Sequence, residues 1–292
     1  MGGRVVILGP GLLGGSLALA LAQQRPVVWG RRRAPLDFLA QASSQISVEP
    51  EMATAVKDAE LVILATPIGV MPQLLDELVR LQTLAPGAII TDVGSVKRPI
   101  VQQATEILKG TGYRFVGSHP MAGSEAAGVE AARADLFENA MCLLTPNSDT
   151  SSDALSQTEA FWKALGCRIH IVCPTEHDQI VAHISHMPHA LASIIVDTAL
   201  GKEPAWAEFA GGGLRDTTRV ASGDPGMWAE ILLENRDSVV DALRQAETRL
   251  QDLLKLLVSR EIEPIRRFLL EAKELRDTHI SSTDTKDATH ST

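Results

Sequence analysis

The sequence predicts an α/β protein, with a mainly parallel, doubly wound sheet in its first part and an all-α second part. Three observations predict it. Short apolar runs rich in β-branched residues alternate with segments of helical spacing as far as residue 172. A glycine-rich turn, Gly9-Pro10-Gly11-Leu12-Leu13-Gly14, separates the first run from the first helical segment. After Cys173-Pro174 the strand signal stops, and only helical periodicity continues.

Strands are expected at 5–8, 26–29, 61–65, 88–92, 113–116, 141–145 and 168–172, and helices at 12–23, 70–84, 98–108 and 153–165. Crossovers through helices impose parallel pairing and cover both faces of the sheet. In the second part, Thr175 with Asp178 three residues on reads as a capping box that opens a helix reaching about residue 200. Pro188 should kink that helix, because proline removes a donor and crowds the preceding turn. A corner at Gly211-Gly212-Gly213 precedes another helix, and the longest helix is expected from 227 to 258.

Along that last helix Ile231, Asn235, Val239, Ala242, Ala246, Leu250, Leu253 and Leu257 form one stripe. The stripe can pack on its own domain, although a small helical domain has difficulty covering it alone; a homodimer through this domain is expected on the prevalence of symmetric homo-oligomers rather than from the stripe itself. The expected boundaries are 1–173 for the sheet domain, 174–276 for the helical domain and 277–292 for a polar, patternless, disordered tail.

Composition narrows the function. The chain has 292 residues, 45% of them apolar, which is enough for a sizeable core. Its 27 basic and 36 acidic residues, with 4% aromatics and a single tyrosine, argue against a nucleic-acid partner. Cys142, Cys167 and Cys173 show no metal or redox spacing, and the apolar run 5–8 is far shorter than a membrane segment. A cytoplasmic protein without membrane contact is the expectation.

Gly9, Gly11 and Gly14 follow a strand and open a helix, the context that makes this motif a dinucleotide site of Rossmann type. The first glycine permits the tight turn, the second admits the pyrophosphate and the third lets helix and strand approach. The helix N-terminus at Leu12 and Leu13 would hold the negative charge. About 20 residues on, an NAD site carries an acid for the ribose hydroxyls. This chain has Gly30-Arg31-Arg32-Arg33 there, so a repelling carboxylate is absent and forked donors for a phosphate are present. NADP is therefore the expected cofactor; a solvated basic turn is the alternative use of the three arginines.

Thr66-Pro67, the segment containing Ser95 and Lys97, and a loop around His119 all fall where strand ends meet a ligand in an open sheet. Gly117, Pro120 and Gly123 shape the His119 segment as a loop rather than a core strand. Together these features point to hydride transfer to a nicotinamide, with a histidine handling the substrate's hydroxyl proton. His183, His186 and His189 recur every third residue, but no cysteine or carboxylate completes a ligand set, so no metal is expected. Arg215, Asp216 and Arg219 form the best cation cluster for a small anionic substrate outside the arginine turn.

With these residues in view, the chain resembles the prephenate/arogenate (cyclohexadienyl) dehydrogenase family. The likeness is carried by the Gly9 turn with Gly15-Ser16, by Asp92-Val93-Gly94-Ser95-Val96-Lys97, and by Gly117-Ser118-His119-Pro120-Met121-Ala122-Gly123-Ser124-Glu125. Ser185-His186-Met187-Pro188-His189 and the stretch from Gly211 to Arg219 complete it. The resemblance implies that His119 is the catalytic histidine, Ser95 its hydrogen-bonding partner and Arg219 the ligand of a substrate carboxylate. It makes His189 and Ser118 further substrate-site residues, and gives Glu125 and Asp216 a gating role beside the arginine. An intertwined dimer through the helical domain follows from the same resemblance. Two other readings stand beside it: a 3-hydroxyacid or imine reductase of the same fold, with Lys97 as its helix lysine, and a non-catalytic NADP-sensing regulator.

Overall fold

The computed structural model describes residues 3–122 and 128–280. The chain divides into two compact units, Met1–Val239 and Val240–Thr292. The first begins with β1 (Val5–Leu8), α1 (Leu12–Ala20), β2 (Val27–Trp29), α2 (Arg33–Ala42), β3 (Ser47–Glu49), α3 (Met52–Ala55) and β4 (Leu61–Leu64). It continues through α4 (Met71–Leu81), β5 (Ile89–Asp92), α5 (Arg98–Ile107), β6 (Arg114–Pro120), β7 (Met141–Thr145), α6 (Ser152–Ala164) and β8 (Arg168–Ile171). The strands form one eight-stranded sheet in the order β3-β2-β1-β4-β5-β6-β7-β8. All pairings are parallel except β6 with β7.

Alternation along β1 divides the core. Val5 and Ile7 join Leu17, Phe137 and Trp162 on one face, whereas Val6 and Leu8 join Leu74, Leu78 and Ile100 on the other. Apolar layers on both sides explain why β1 and β4 are buried at every position. The turn from β1 to α1 is equally constrained. Gly9 has φ +117°, and a Cβ on Gly14 would stand 1.8 Å from the Gly9 carbonyl oxygen.

The helical elements that follow are α7 (Pro174–Val181), α8 (Met187–Leu200), α9 (Gly212–Thr218), α10 (Pro225–Glu234), α11 (Arg236–Ser259) and α12 (Ile262–His279). In the second unit the Arg249 guanidinium lies 4.7 Å over the Phe268 ring. Leu250, Leu254, Leu257 and Leu269 are more than half exposed there. Among the described residues no helix is long and apolar enough to cross a membrane.

Five local expectations change. Strand β6 runs on to Pro120, so His119 sits within a strand, opposite Leu143 of β7, and not on a loop. Pairing with β5 ends at Val116, and the antiparallel partner β7 then carries the strand through Gly117. The helix 175–200 does not simply kink at Pro188: a π turn spans Ala182–His186, and Pro188 lies in the first turn of α8. The cap of α7 is Cys173, whose sulfur accepts from the Glu176 N–H, so Thr175 and Asp178 form no capping box. The helix expected over 227–258 breaks at Asn235, because that buried amide turns inward to hydrogen-bond acceptors on α7 and the π turn. Finally, α12 continues through His279, so residues 277–279 of the expected tail are helical, and the tail from 281 lies outside the described residues.

Candidate active site

Two buried carboxylates organise the site. Asp92 ends β5 at 0% exposure and must satisfy its oxygens inside the protein. It accepts the Gly94 N–H at 2.9 Å, the Ser118 N–H at 3.0 Å and the Lys97 ammonium. Lys97 is equally buried, and its Nζ also donates to the Ser118 carbonyl at 3.1 Å. The Ser118 hydroxyl faces Thr91 Oγ1 at 2.7 Å. Ser118 thus serves to lock β6 to β5, one residue before His119.

The second carboxylate is Asp178 on α7. Helix α5 has no side-chain cap of its own. Asp178 supplies one from outside, with Oδ1 accepting the Lys97 N–H at 2.7 Å and Oδ2 the Arg98 N–H at 2.9 Å. Its Oδ1 also accepts from His177 Nδ1 at 2.8 Å, and His177 Nε2 lies 2.9 Å from His119 Nδ1. Asn235 donates to the Asp178 carbonyl at 2.8 Å and to His186 Nδ1 at 3.1 Å. The His189 ring stacks on Trp228 at 3.6 Å.

Electrostatics keep these histidines neutral at pH 7. Burial pushes the His119 pKa well below the ordinary histidine value, and His177, Lys97 and His186 push it further the same way. Burial also lowers His177, although Asp178 opposes it, and brings His186 down to about 4. His189 is lowered by burial against the opposing backbone of Val220, which places the Arg219–Ser222 turn beside that ring. His119 Nε2 has no hydrogen-bond partner among the described residues, and the free nitrogen of a neutral imidazole can accept a proton.

The cofactor edge has the right form for a dinucleotide. Helix α1 has no side-chain cap at Gly11, and nothing lies within 4 Å of a Cβ placed there, so backbone donors open onto free space. Buried Thr66 Oγ1 has no partner among the described residues, and Thr66 lies against Gly9. Arg31, Arg32 and Arg33 are exposed at the end of β2, and Arg33 pairs with Asp37 at 3.0 Å. A Cβ on Gly30 would stand 2.6 Å from Pro10, so packing against the turn already requires glycine there.

Ser95 and His183 stand apart from this network. Ser95 is half-buried on the loop after β5 and makes no hydrogen bond to His119, whose partner is His177. Arg219 and Asp216 are exposed, and exposed Pro67 follows Thr66. Glu125 lies outside the described residues. His183 is exposed and bonded to the Gln179 carbonyl, and among the described residues no group of three ligating side chains could hold a metal. Asp92 lies in the segment that carries the resemblance and Asn235 in the helix stripe, but nothing in the sequence marks their hydrogen-bond roles or those of Asp178 and Trp228.

Two family models match the chain. The nucleotide-binding domain of prephenate dehydrogenase matches residues 17–171, and its dimerization domain matches residues 173–271. The prephenate dehydrogenase of Bacillus subtilis (strain 168) is 36% identical over 283 residues, covering 94% of this chain and 75% of that protein. The crystal structure of prephenate dehydrogenase from Aquifex aeolicus with hydroxyphenyl propionate and NAD+ superposes with a TM-score of 0.86. It is 30% identical and covers 94% of this chain and 98% of that one. Synechocystis arogenate dehydrogenase superposes with a TM-score of 0.80 at 28% identity, covering 95% and 100% of the two chains.

Removing one member of a buried ion pair strands the other. Lys97→Met should therefore lower stability by about 3–5 kcal/mol, read as a fall in the urea midpoint. An unchanged midpoint would show that the pair does not hold β5 to β6.

Proposed function

This chain belongs to the prephenate dehydrogenase family, and from that premise we propose that it oxidatively decarboxylates prephenate, arogenate or both in tyrosine biosynthesis. The single observation that carries this reading is the buried His119, its pKa lowered by burial and its Nε2 without a hydrogen-bond partner among the described residues, on a sheet that also carries a dinucleotide turn. Family membership removes the 3-hydroxyacid and imine reductase readings. Lys97, the lysine those readings require, is spent on Asp92 and the Ser118 carbonyl. An enzyme is also the better reading than a sensing regulator, since a sensor has no use for a buried neutral base.

The chemistry follows from the residue types. Prephenate carries a hydroxyl at C4 and a carboxylate at the opposite ring carbon, C1. A bound nicotinamide dinucleotide supplies the acceptor for the C4 hydride, held through Gly9, Gly11, Leu12, Leu13, Gly14, Thr66 and Pro67. As that hydride leaves, positive charge develops at C4, and His119 Nε2 takes the hydroxyl proton to relieve it. The C1–carboxylate bond then breaks, its electron pair enters the ring, and carbon dioxide departs. His119 returns its proton to the phenolate oxygen, which balances the reaction. Arg219 anchors a substrate carboxylate, with His189 and Ser95 lining the same site and Asp216 beside the arginine. The exposed Arg31 and Arg32 favour NADP, and the apolar surface of the second unit is the seam of a homodimer.

His119 must be unprotonated to act, and its pKa is lowered, so the acid limb of kcat should lie below pH 6.5 with a plateau above. His119→Asn should keep cofactor binding and lose about 10²–10⁴-fold in kcat. Arg219→Ala should mainly raise KM, because an anchor acts in ground and transition states alike. Near-normal turnover in His119→Asn would remove the assignment.

Catalytic efficiency with NADP should exceed that with NAD by at least about tenfold, about 1.4 kcal/mol. The double variant Arg31→Ala/Arg32→Ala should erase most of that preference. It is a cleaner probe than Gly30→Asp, whose Cβ would collide with Pro10 as well as add charge. Equal use of both cofactors by the unaltered enzyme refutes the preference.

Leu250 is 58% exposed in the protomer, so Leu250→Glu should leave the fold intact while burying an unpaired charge in the dimer seam. Sedimentation should then show monomers at micromolar concentration. Dimers of unchanged affinity would place the seam elsewhere.

A further inference from the structure

We propose that His177 and Asp178 are positioning residues that fix the His119 imidazole as its Nδ1–H tautomer, leaving Nε2 as the proton acceptor. The inference rests on the reading of His119 as the base, and donors and acceptors along the chain of contacts decide it. An ionised carboxylate can only accept, so His177 Nδ1, 2.8 Å from Asp178 Oδ1, must carry its proton. A neutral His177 then presents a bare Nε2. That atom, 2.9 Å from His119 Nδ1, can only accept, so the proton between the rings belongs to His119. The lone pair of His119 is thereby assigned to Nε2.

The relay is rigid. Asp178 cannot rotate away from His177 without releasing the Lys97 and Arg98 N–H groups at the start of α5. His177 and Asp178 are 0% and 2% exposed, so water offers neither a substitute. The charged and titratable groups facing the relay keep it in this state near pH 7. His119 is faced by His177, Lys97 and His186, all of which oppose its protonation, and burial does the same. His177 is faced by Asp178 and Asp92, which favour its protonation, and by Lys97, which opposes it, while burial outweighs the carboxylates. If His177 did gain a proton, its Nε2 would become a donor and would force the lone pair of His119 onto Nδ1. The base would then face away from its substrate.

This assignment separates the relay from a purely structural role. His177→Gln preserves both functions, since the amide oxygen accepts from His119 and the amide nitrogen donates to Asp178. His177→Leu preserves volume but neither bond. The test reads the His119 ring nitrogens by ¹⁵N NMR of histidine-labelled protein without substrate, assigned by their loss in His119→Asn. The wild type and His177→Gln should show a protonated Nδ1 and a bare Nε2. His177→Leu should lose that preference and drop at least about tenfold in kcat near pH 7, with KM within about twofold.

A wild-type His119 protonated at Nε2 overturns the relay, as does a His177→Leu enzyme with wild-type tautomer and kcat. If His177→Leu does not fold, the wild type and His177→Gln still decide, and a folded His177→Gln without the Nδ1–H form overturns it. Failure of the proposed reaction reads differently. A wild-type protein with the predicted tautomer and no turnover of prephenate or arogenate refutes the reaction alone.

Discussion

A carboxylate shut away from water must find its donors within the protein, and Asp178 finds three: two backbone N–H groups at the start of α5 and the Nδ1–H of His177. Much of the site follows from that requirement. The helix that begins α5 is capped from a different helix, so α7 and the loop after β5 are fixed to each other. His177 is held upright by the same oxygen, and His119 is held by His177. One buried charge thus converts a sheet strand, a helix start and a second helix into a single rigid frame. Freedom lost there is what a proton acceptor needs, because a base misplaced by an ångström loses much of its value.

The Asp92–Lys97 pair plays the complementary part on the sheet side. Burying two charges costs more than their attraction returns unless every remaining hydrogen-bonding site is filled. Here Gly94, Ser118 and Lys97 fill Asp92, while Asp92 and the Ser118 carbonyl engage Lys97. The consequence is mechanical. β6 is pinned to β5 immediately before His119, at the place where the strand exchanges a parallel partner for an antiparallel one. The same ammonium also adds positive potential around the imidazole and helps to keep it neutral.

The helical half contributes through a departure from regularity. A π turn at Ala182–His186 shifts the register of the helix, and Pro188 then starts α8. His186 and His189 are both buried as a result, one against Asn235 and the other flat on Trp228, while His183 is left in solvent. Asn235 interrupts what would otherwise be one long helix, because its amide serves two buried acceptors. Regular helix geometry gives way here where polar satisfaction demands it.

The sequence by itself determined the sheet domain, its glycine turn, the helical character of the remainder and the family. Those features are written locally, in hydrophobic period, in β-branched runs and in glycines that close packing against Gly9 and Pro10 requires. His119 was legible in the same way, through its flanking motif. Its strand was not, because Gly117 and Pro120 read as loop formers, and only the pairing with β7 overrides that propensity. Thr175 and Asp178 had the spacing of a capping box, yet the carboxylate caps a helix 80 residues away. The tertiary structure alone decided which nitrogen of His119 is bonded and what the buried acids do. Hydrogen-bond partners of buried polar groups are chosen by proximity in space, and spacing along the chain does not encode it.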